Sequence, residues 1–159
     1  MRTPVTRETD ERYVRRAMEL AERARTAGDV PIGAVLVCGA VVCEARNEKE
    51  SRRDATAHAE MLVLQEASRR LGAWRLAEAT VYVTKEPCVM CAGALVAARV
   101  KRVVYGCRDP KGGAAGSVIG ILDNRALNHR VQVTGGVLEG ETAEQLQAFF
   151  RAKRDEERV

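Results

Sequence analysis

The chain has 159 residues, of which 46% are hydrophobic and 30% charged, a composition typical of a globular protein with one core. Its formal net charge of +4 permits a polyanionic partner but does not require one. The longest apolar stretch, VPIGAVLVCGAVVC, is interrupted by proline and glycine and is shorter than the roughly 18 to 20 residues of a membrane span. The polar start, MRTPVTRETDERY, lacks the apolar segment of a signal peptide. We therefore expect one domain, residues 1–159, in the cytoplasm and outside any membrane.

The first half of the chain is predicted to form two helices separated by two strands. Hydrophobic periodicity predicts a helix over residues 9–27, which Gly28 ends. The segments GAVLVC and VVCEAR are predicted as strands joined by a Gly-Ala turn. A polar loop, NEKESRRD, leads to a second helix over residues 55–71, with Asp54 as its N-cap.

The second half of the chain continues this alternation. TVYVTK is predicted as the third strand, and Pro87 starts a third helix because proline is tolerated in a first turn. KRVVYGC and RVQVTGG are predicted as the fourth and fifth strands, separated by a glycine-rich loop, DPKGGAAGS, and a short helix near residues 118–122. A charged helix over residues 141–157 follows. Helices that alternate with strands predict an α/β sandwich.

The five cysteines are an odd, scattered set, which argues against a disulfide framework. Cys38 and Cys43 are expected to face each other across the first hairpin as buried thiols. Cys88 and Cys91 are three positions apart, a spacing found in redox couples, in halves of zinc sites and in disulfides. On a helix the two sulfurs share a face, so that both can reach one ion.

The segment TAHAE decides between these alternatives, because it places His58 and Glu60 at the start of another predicted helix. One histidine and two cysteines make three ligands, and catalytic zinc sites keep the fourth position for water. The partial positive charge of the two helix starts favours the thiolate that binds metal. His58 and Glu60 diverge by roughly 160° around a helix, so both reach one ion only if it lies near the helix end.

A structural zinc site with His129 as the fourth ligand is the alternative within the metal hypothesis. His129 lies at a loop-to-strand junction with no partner nearby. Glu60 argues against this alternative, because a structural site has no use for a free carboxylate, whereas a hydrolytic site needs a proton carrier.

In these residues the chain resembles the zinc-dependent deaminases that act on nucleobases, and more closely the bacterial tRNA-specific adenosine deaminases. The resemblance extends over VPIGAVLV, Asn47, DATAHAE, TVYVTKEPCVMCAGA, RVVYG, RDPKGGAAGS, NHRV and FFRAKR. Two residues depart from the family: Ala55 stands where proline is usual and Lys85 where leucine is usual. The resemblance implies the cytidine deaminase-like fold, a three-layer α/β/α sandwich with a central five-stranded mixed sheet.

The resemblance also implies a mechanism, the hydrolytic deamination of adenosine to inosine with one Zn²⁺ per subunit held by His58, Cys88 and Cys91. Hydroxide attacks C6 of adenine, and Glu60 carries the proton of the water to the ring nitrogen and then to the departing ammonia. The backbone N–H of Cys88 is expected to stabilise the oxygen of the tetrahedral intermediate.

Substrate-binding residues follow partly from the resemblance and partly from the basic, aromatic segment AFFRAKR, which suits an unstacked RNA loop. Asn47 is expected to hydrogen-bond the purine edge and Val30 to pack on the base. The full expected set is Val30, Asn47, Ala59, Asp109, Phe149, Arg151 and Lys153. Without the resemblance, a strand-end turn residue is the preferred interpretation of Asn47. The last helix is then one with buried phenylalanines and solvated charges.

The implied partners are the anticodon stem-loop of a tRNA, modified at the wobble position, and a second copy of the chain in a homodimer. Two other functions stay open from the sequence. The same zinc chemistry serves a deaminase of free guanine, cytosine or their nucleotides. A non-catalytic, zinc-stabilised interaction domain is also compatible with the ligands, but the intact Glu60 disfavours it.

Overall fold

The structure, a computed structural model, describes residues 5–159. Residues 1–4, which begin the polar segment that predicts no signal peptide, lie outside the described residues. The helices and strands are, in chain order, α1 (Arg7–Thr26), β1 (Gly33–Cys38), β2 (Val41–Arg46), α2 (Lys49–Arg52), α3 (Ala59–Leu71), β3 (Thr80–Lys85), α4 (Val89–Ala97), β4 (Arg102–Cys107), β5 (Gln132–Thr134) and α5 (Glu139–Glu157). Among them, no helix is both long and apolar enough to span a bilayer.

The five strands form one mixed sheet in the order β2-β1-β3-β4-β5. Strand β1 pairs antiparallel with both β2 and β3, whereas β4 pairs parallel with both β3 and β5. Helices α3 and α4 cover one face of the sheet, and α1 and α5 cover the other. The predicted three-layer α/β/α sandwich is thereby confirmed.

Alternation along the strands assigns side chains to the two faces of the sheet. Ala34 and Leu36 join the larger cluster beneath α3 and α4, while Val35 between them joins Val14 of α1 on the opposite face. Gly33 brings α1 close to the start of β1, since a Cβ there would lie only 2.8 Å from the backbone nitrogen of Ala21. Both faces are buried, which explains the continuous apolar strands of the sequence.

The prediction for the start of the second helix is wrong by four residues. Helix α3 begins at Ala59 with His58 as its N-cap, and Asp54 does not cap it. The Asp54 carboxylate instead accepts hydrogen bonds from the N–H (2.8 Å) and the hydroxyl (2.7 Å) of Thr56, which closes a separate turn. The third helix also starts late, by two residues: α4 begins at Val89 after Cys88 and not at Pro87.

Three smaller expectations are also corrected. The loop NEKESRRD contains the short helix α2, and the helix predicted near residues 118–122 is replaced by turns and a bridge between Ala115 and Gly120. The N–H groups of Val118, Ile119 and Ile121 donate to the carbonyls of Gly113 and Ala114 in the same loop and not within a helix. Cys43 lies opposite Leu36, not Cys38, although all five cysteines are free thiols as predicted.

Helix α5 runs alongside α1 in the same direction. In the first turn of α5, the Glu141 carboxylate accepts a hydrogen bond from Arg15 of α1 (2.9 Å). One turn later, the Gln145 amide donates to the carbonyl of Met18 of α1 (3.0 Å). Helix α1 leads into β1 at Gly33, whose N–H donates to the Thr84 hydroxyl at the end of β3 (3.3 Å). The last turns of α5 therefore point towards the end of the sheet where β3 runs into Cys88.

Candidate metal and catalytic site

Three of the predicted ligands meet at this end of the sheet. The Nδ1 atom of His58 lies 3.6 Å from the Sγ of Cys88 and 3.4 Å from the Sγ of Cys91. All three donor atoms lie within 4.8 Å of one another, and within residues 5–159 this is the one such group of three that could hold an ion. We call these three residues the ligand cluster.

The positions of the residues at the helix starts explain how His58 and Glu60 both reach the ligand cluster. His58 has extended backbone angles (φ −73°, ψ 150°) and precedes α3, so the divergence expected for two helical positions does not apply. Cys88 holds the same position before α4 (φ −75°, ψ 176°). Neither side chain makes a capping hydrogen bond to its helix. The two helix N-termini add partial positive charge beside the donor atoms.

Of the three residues in the ligand cluster, Cys88 has the pKa shift that favours metal binding. A hydrogen bond from Cys91, reinforced by one from His58, lowers the pKa of Cys88 to about 4 even though burial opposes the shift. The pKa of Cys91 is raised by its hydrogen bond to Cys88 and by burial. The hydrogen bond to Cys88 also raises the pKa of His58. These hydrogen bonds favour the thiolate form of Cys88, which is the form of cysteine that binds metals.

Zinc fits these three residues on both geometry and chemistry. Donor atoms at typical Zn–S and Zn–N distances and a tetrahedral angle lie about 3.6 Å apart, close to the separations from His58 to the two cysteines. Two cysteine sulfurs and an imidazole nitrogen are also a donor set that suits zinc. His129 lies elsewhere: its Nε2 bonds the carbonyl of Val100 (2.8 Å), before the start of β4. The alternative with His129 as fourth ligand finds no support.

Glu60 lies in the first turn of α3 and is only 4% exposed. Burial raises the pKa of this carboxyl, and the neighbouring Cys88 acts in the same direction. A carboxyl whose pKa is moved towards neutrality can both accept and return a proton at physiological pH. The arrangement therefore provides a proton carrier directly beside the ligand cluster.

Asn47 and Val30, both expected in the substrate pocket, are brought together. The Asn47 amide donates to the carbonyl of Val30 (3.2 Å), and its oxygen accepts the N–H of Lys49 (3.2 Å). Asn47 is thus a turn residue that still has one N–H and one lone pair to offer. The side chain of Ala59 is completely buried in the core, which leaves only its backbone for a substrate.

Asp109 and the expected RNA-binding residues already have partners in the structure. Asp109 pairs with the ammonium of Lys85 (3.0 Å), the residue that departs from the family pattern. Arg151 pairs with Glu144 (2.6 Å) on the same helix. Phe149 is half-buried, in edge contact with the exposed Phe150, and the Lys153 ammonium lies 6.0 Å from its ring. These α5 residues lie outside the ligand cluster.

Two buried carboxylates near the site were missed by the sequence analysis. Glu86, 2% exposed, accepts the backbone N–H groups of Asp109, Ala115 and Ser117. Asp29 is fully buried and accepts the N–H of Glu50 (2.6 Å), which holds the start of α2. The available signal was an acidic residue directly beside an apolar strand, a position that is rarely acidic unless the charge is satisfied.

Comparisons with known proteins assign the family. The profile of the MafB19-like deaminase family matches residues 8–154. The tRNA-specific adenosine deaminase of Bacillus subtilis is 49% identical over 151 residues, which are 94% of each chain. The tRNA-specific adenosine deaminase of Haemophilus influenzae is 42% identical over 157 residues, 98% of this chain and 91% of the relative.

Solved structures agree with this family. A structure described as a tRNA:A34 deaminase, which edits A to I at the wobble position, superposes with a TM-score of 0.81 at 41% identity, over 85% of this chain and 99% of the other. Guanine deaminase from Bacillus subtilis gives a TM-score of 0.60 at 29% identity, over 91% and 93% of the two chains. The ligand cluster and Glu60 thus lie in a fold that supports deamination in several relatives.

Proposed function

The chain belongs to the MafB19-like deaminase family, and from this premise we propose that it converts adenosine to inosine at the wobble position of tRNA. It is a hydrolase that releases ammonia, like the tRNA-specific adenosine deaminases it matches over nearly its whole length. The observation that carries the proposal is the buried Glu60 beside the group of His58, Cys88 and Cys91. Free guanine or cytosine deamination remains the second candidate, which the lower similarity to guanine deaminase disfavours.

In the proposed mechanism His58, Cys88 and Cys91 hold one zinc ion per chain. When bound, zinc lowers the pKa of a water molecule towards neutrality and so supplies a nucleophile at neutral pH. Glu60 would accept one proton of that water and pass it to the ring nitrogen of adenine. It would then carry the second proton, from the hydroxyl on the attacked carbon, to the departing amino group, which leaves as ammonia. The backbone N–H of Cys88, at the start of α4, donates to the oxygen that becomes negative on the attacked carbon.

Substrate binding is assigned to two levels of the site. Next to the ligand cluster, Val30 packs on the base and Asn47 hydrogen-bonds the purine edge with its remaining N–H and lone pair, while the backbone of Ala59 and the Asp109 loop border the pocket. Further out, Phe149, Arg151 and Lys153 bind the anticodon loop, since α5 points towards this end of the sheet. Aromatic rings next to cationic side chains suit unstacked bases and phosphates.

We also propose that residues 1–159 form a single deaminase domain that works as a homodimer in the cytoplasm. Helix α4 has no charged residue, and its first residue, Val89, is 56% exposed. Two apolar side chains on a nearby loop are also exposed, Val118 (58%) and Ile119 (48%). Such an apolar surface suits a second copy of the chain. Five free thiols suit a reducing compartment. Val89→Glu tests the dimer, because it is expected to yield monomers in light scattering.

The decisive experiment is incubation of the zinc-loaded protein with bulk tRNA, followed by digestion and nucleoside analysis. Inosine is expected with the wild type and is expected to be nearly absent with Glu60→Gln, which retains the ligand cluster. Ammonia release from free guanine and cytosine is measured in parallel. Faster turnover of a free base than of any tRNA would replace the tRNA proposal with the second candidate.

A further inference from the structure

The carboxylate of Glu86 is buried inside the glycine-rich segment at residues 109–117, which we call the 109–117 loop. It is 2% exposed and accepts the N–H groups of Asp109 (3.1 Å), Ala115 (3.0 Å) and Ser117 (3.1 Å), together with the hydroxyl of Ser117. Hydrogen bonds to an ionised acceptor are roughly twice as strong as neutral ones. One side chain therefore organises most of the loop.

The loop backbone is packed directly on this carboxylate. A Cβ atom at Gly113 would overlap the Glu86 carboxylate and would lie 2.6 Å from the carbonyl oxygen of Asp109, so only glycine fits. The next residue, Ala114, donates its N–H to the carbonyl of Pro87 (2.8 Å). The loop is thus bonded both to the side chain of Glu86 and to the backbone of the residue that follows it.

The segment that holds the loop is also the segment that carries a metal ligand. Cys88 follows Pro87 directly, and Lys85, on the other side of Glu86, pairs with Asp109 of the loop (3.0 Å). Three consecutive residues, 85–87, therefore fix the loop at several points beside Cys88. A shift of the loop and a shift of Cys88 are mechanically linked through Glu86.

We propose that Glu86 is a positioning residue for the deaminase reaction: it fixes the 109–117 loop as a wall of the substrate pocket at a set distance from Cys88. Glu86 touches neither the substrate nor the metal, and the inference rests on the proposed function for its catalytic part. Misplacement of groups around a reacting centre by about 1 Å can lower rates by about 10²-fold. The loop contributes Asp109 and Lys111, so its displacement affects substrate binding most directly.

Glu86→Gln tests the proposal because the side chain keeps its size while one acceptor oxygen becomes a donor that faces N–H groups. In the zinc-loaded protein, kcat/KM for tRNA is expected to fall about 10- to 100-fold, mostly through KM, with one zinc per chain retained. Hydrogen exchange at the amides of Ala115 and Ser117 is expected to accelerate. Glu86→Asp keeps the charge with a shorter reach and is expected to restore part of both losses.

The matched control is Asp10→Asn, which weakens another buried carboxylate. Asp10 is 4% exposed and pairs with Arg102 through two 2.7 Å hydrogen bonds at the start of β4, the opposite end of the sheet. Both this variant and Glu86→Gln are expected to lower the unfolding temperature, because each weakens the hydrogen bonds of a buried carboxylate. Only Asp10→Asn is expected to leave KM, kcat and the exchange of the loop amides unchanged.

Three results would overturn the proposal. The first is a Glu86→Gln enzyme with kcat/KM within about twofold of wild type, a change small against the expected loss. The second is a loss equal to that of Asp10→Asn, which would make the role of Glu86 merely structural. The third is unchanged exchange of the loop amides in Glu86→Gln. This last readout needs no substrate, so it separates failure of this inference from failure of the proposed function, in which the wild type forms no inosine.

Discussion

The ligand cluster and the last turns of α5 differ in how strongly the fold determines them. Cys91 is fully buried and Glu60 is 4% exposed, whereas Phe150 is 41% exposed and Arg151 pairs with Glu144 on its own helix. We call the ligand cluster together with Glu60 the deep region, and the last turns of α5 the outer region. The residues of the deep region are positioned by two helix starts and the sheet, whereas those of the outer region are positioned by their own helix alone. The fold therefore holds the ligand cluster and Glu60 firmly, whereas the α5 side chains that we propose to bind RNA are exposed and open to change.

The largest effect is expected when the deep region loses a ligand. Cys88→Ser, Cys91→Ser or His58→Ala is expected to lose zinc, because three ligands cannot spare one, and metal binding is coupled to folding. The free energy of unfolding is expected to fall by on the order of 4 kcal/mol, as is typical when a metal is lost. Metal analysis and thermal unfolding measure both effects.

His129→Ala is the control for the ligand variants. It removes one hydrogen bond to the carbonyl of Val100 and is expected to cost about 1 kcal/mol with full retention of zinc. Loss of zinc in His129→Ala, or one zinc per chain in either cysteine variant, would contradict the assignment of the ligands.

Glu60→Gln is expected to separate chemistry from metal binding within the deep region. The amide cannot carry a proton, so kcat is expected to fall by about 10² to 10⁴, the usual contribution of general acid–base catalysis. Zinc content and unfolding temperature are measured on the same preparation and are expected to stay near wild type. A variant that turns over tRNA within about twofold of wild type, far less than that contribution, would remove Glu60 from the mechanism.

The outer region is tested by charge reversal on α5. Arg151→Glu combined with Lys153→Glu is expected to raise KM for tRNA and to reduce the salt dependence of binding by roughly one unit of slope per lost phosphate contact. Stability is expected to change by less than about 0.5 kcal/mol because both side chains are exposed.

Glu144→Gln is the matched opposite of this charge reversal. It releases Arg151 from its ion pair and makes the guanidinium available to phosphate, so KM for tRNA is expected to stay equal or to fall. If the double reversal left KM unchanged at physiological salt, α5 would not bind RNA, and the contrast between the two regions would need another explanation.

The smallest effect is expected at the border of the two regions, where Lys85 pairs with Asp109. Burial alone would raise the pKa of Asp109, but hydrogen bonds from Lys85 and from the N–H of Lys111 hold it below its ordinary value of 3.8. A lowered pKa in the folded state stabilises the protein above pH 3.8, and this stabilisation disappears as pH falls through the folded pKa. Lys85→Leu is therefore expected to lower the free energy of unfolding by about 1 kcal/mol or less at pH 7.

Unfolding by denaturant at several pH values checks this expectation. The curves for wild type and Lys85→Leu are expected to converge in acid. Lys101→Leu, which removes a longer, more exposed pair with Glu78 (3.9 Å), is the control and is expected to shift stability by less than about 0.5 kcal/mol at every pH. A difference for Lys85→Leu that persists unchanged below the ordinary pKa of Asp109 would exclude the ion pair as its cause.

The sheet and the group of ligands could be predicted because their signals are local in the sequence. The strands GAVLVC, VVCEAR and TVYVTK have the bounds of β1, β2 and β3, since apolar, β-branched runs ended by turns are strong strand signals. The structure also brings His58, Cys88 and Cys91 together as their positions at two helix starts predict. Their roles in catalysis stay predictions that the variants above test.

The features that were missed depend on hydrogen-bond partners far along the chain, or on a neighbouring residue that takes the hydrogen bond expected for a helix cap. Asp54 is a good N-cap residue by type, but Thr56 engages its carboxylate, and α3 starts four residues later. The partners of Glu86 follow it by 23 to 31 positions, and Asp29 bonds residues more than 20 positions away. Periodicity and short motifs do not report such contacts, so the buried carboxylates Glu86 and Asp29 were missed although the three ligands were found.

The long sequence separation between Glu86 and its partners has a consequence for biosynthesis. A ribosome makes the segment Glu86–Cys91 well before Ser117, so the nascent chain carries both cysteines while the neighbouring carboxylate still lacks its four hydrogen bonds. Burial of that charge is unfavourable until residues 109–117 emerge. If the proposed zinc site forms, firm metal loading is therefore expected only after residues 109–117 have been made.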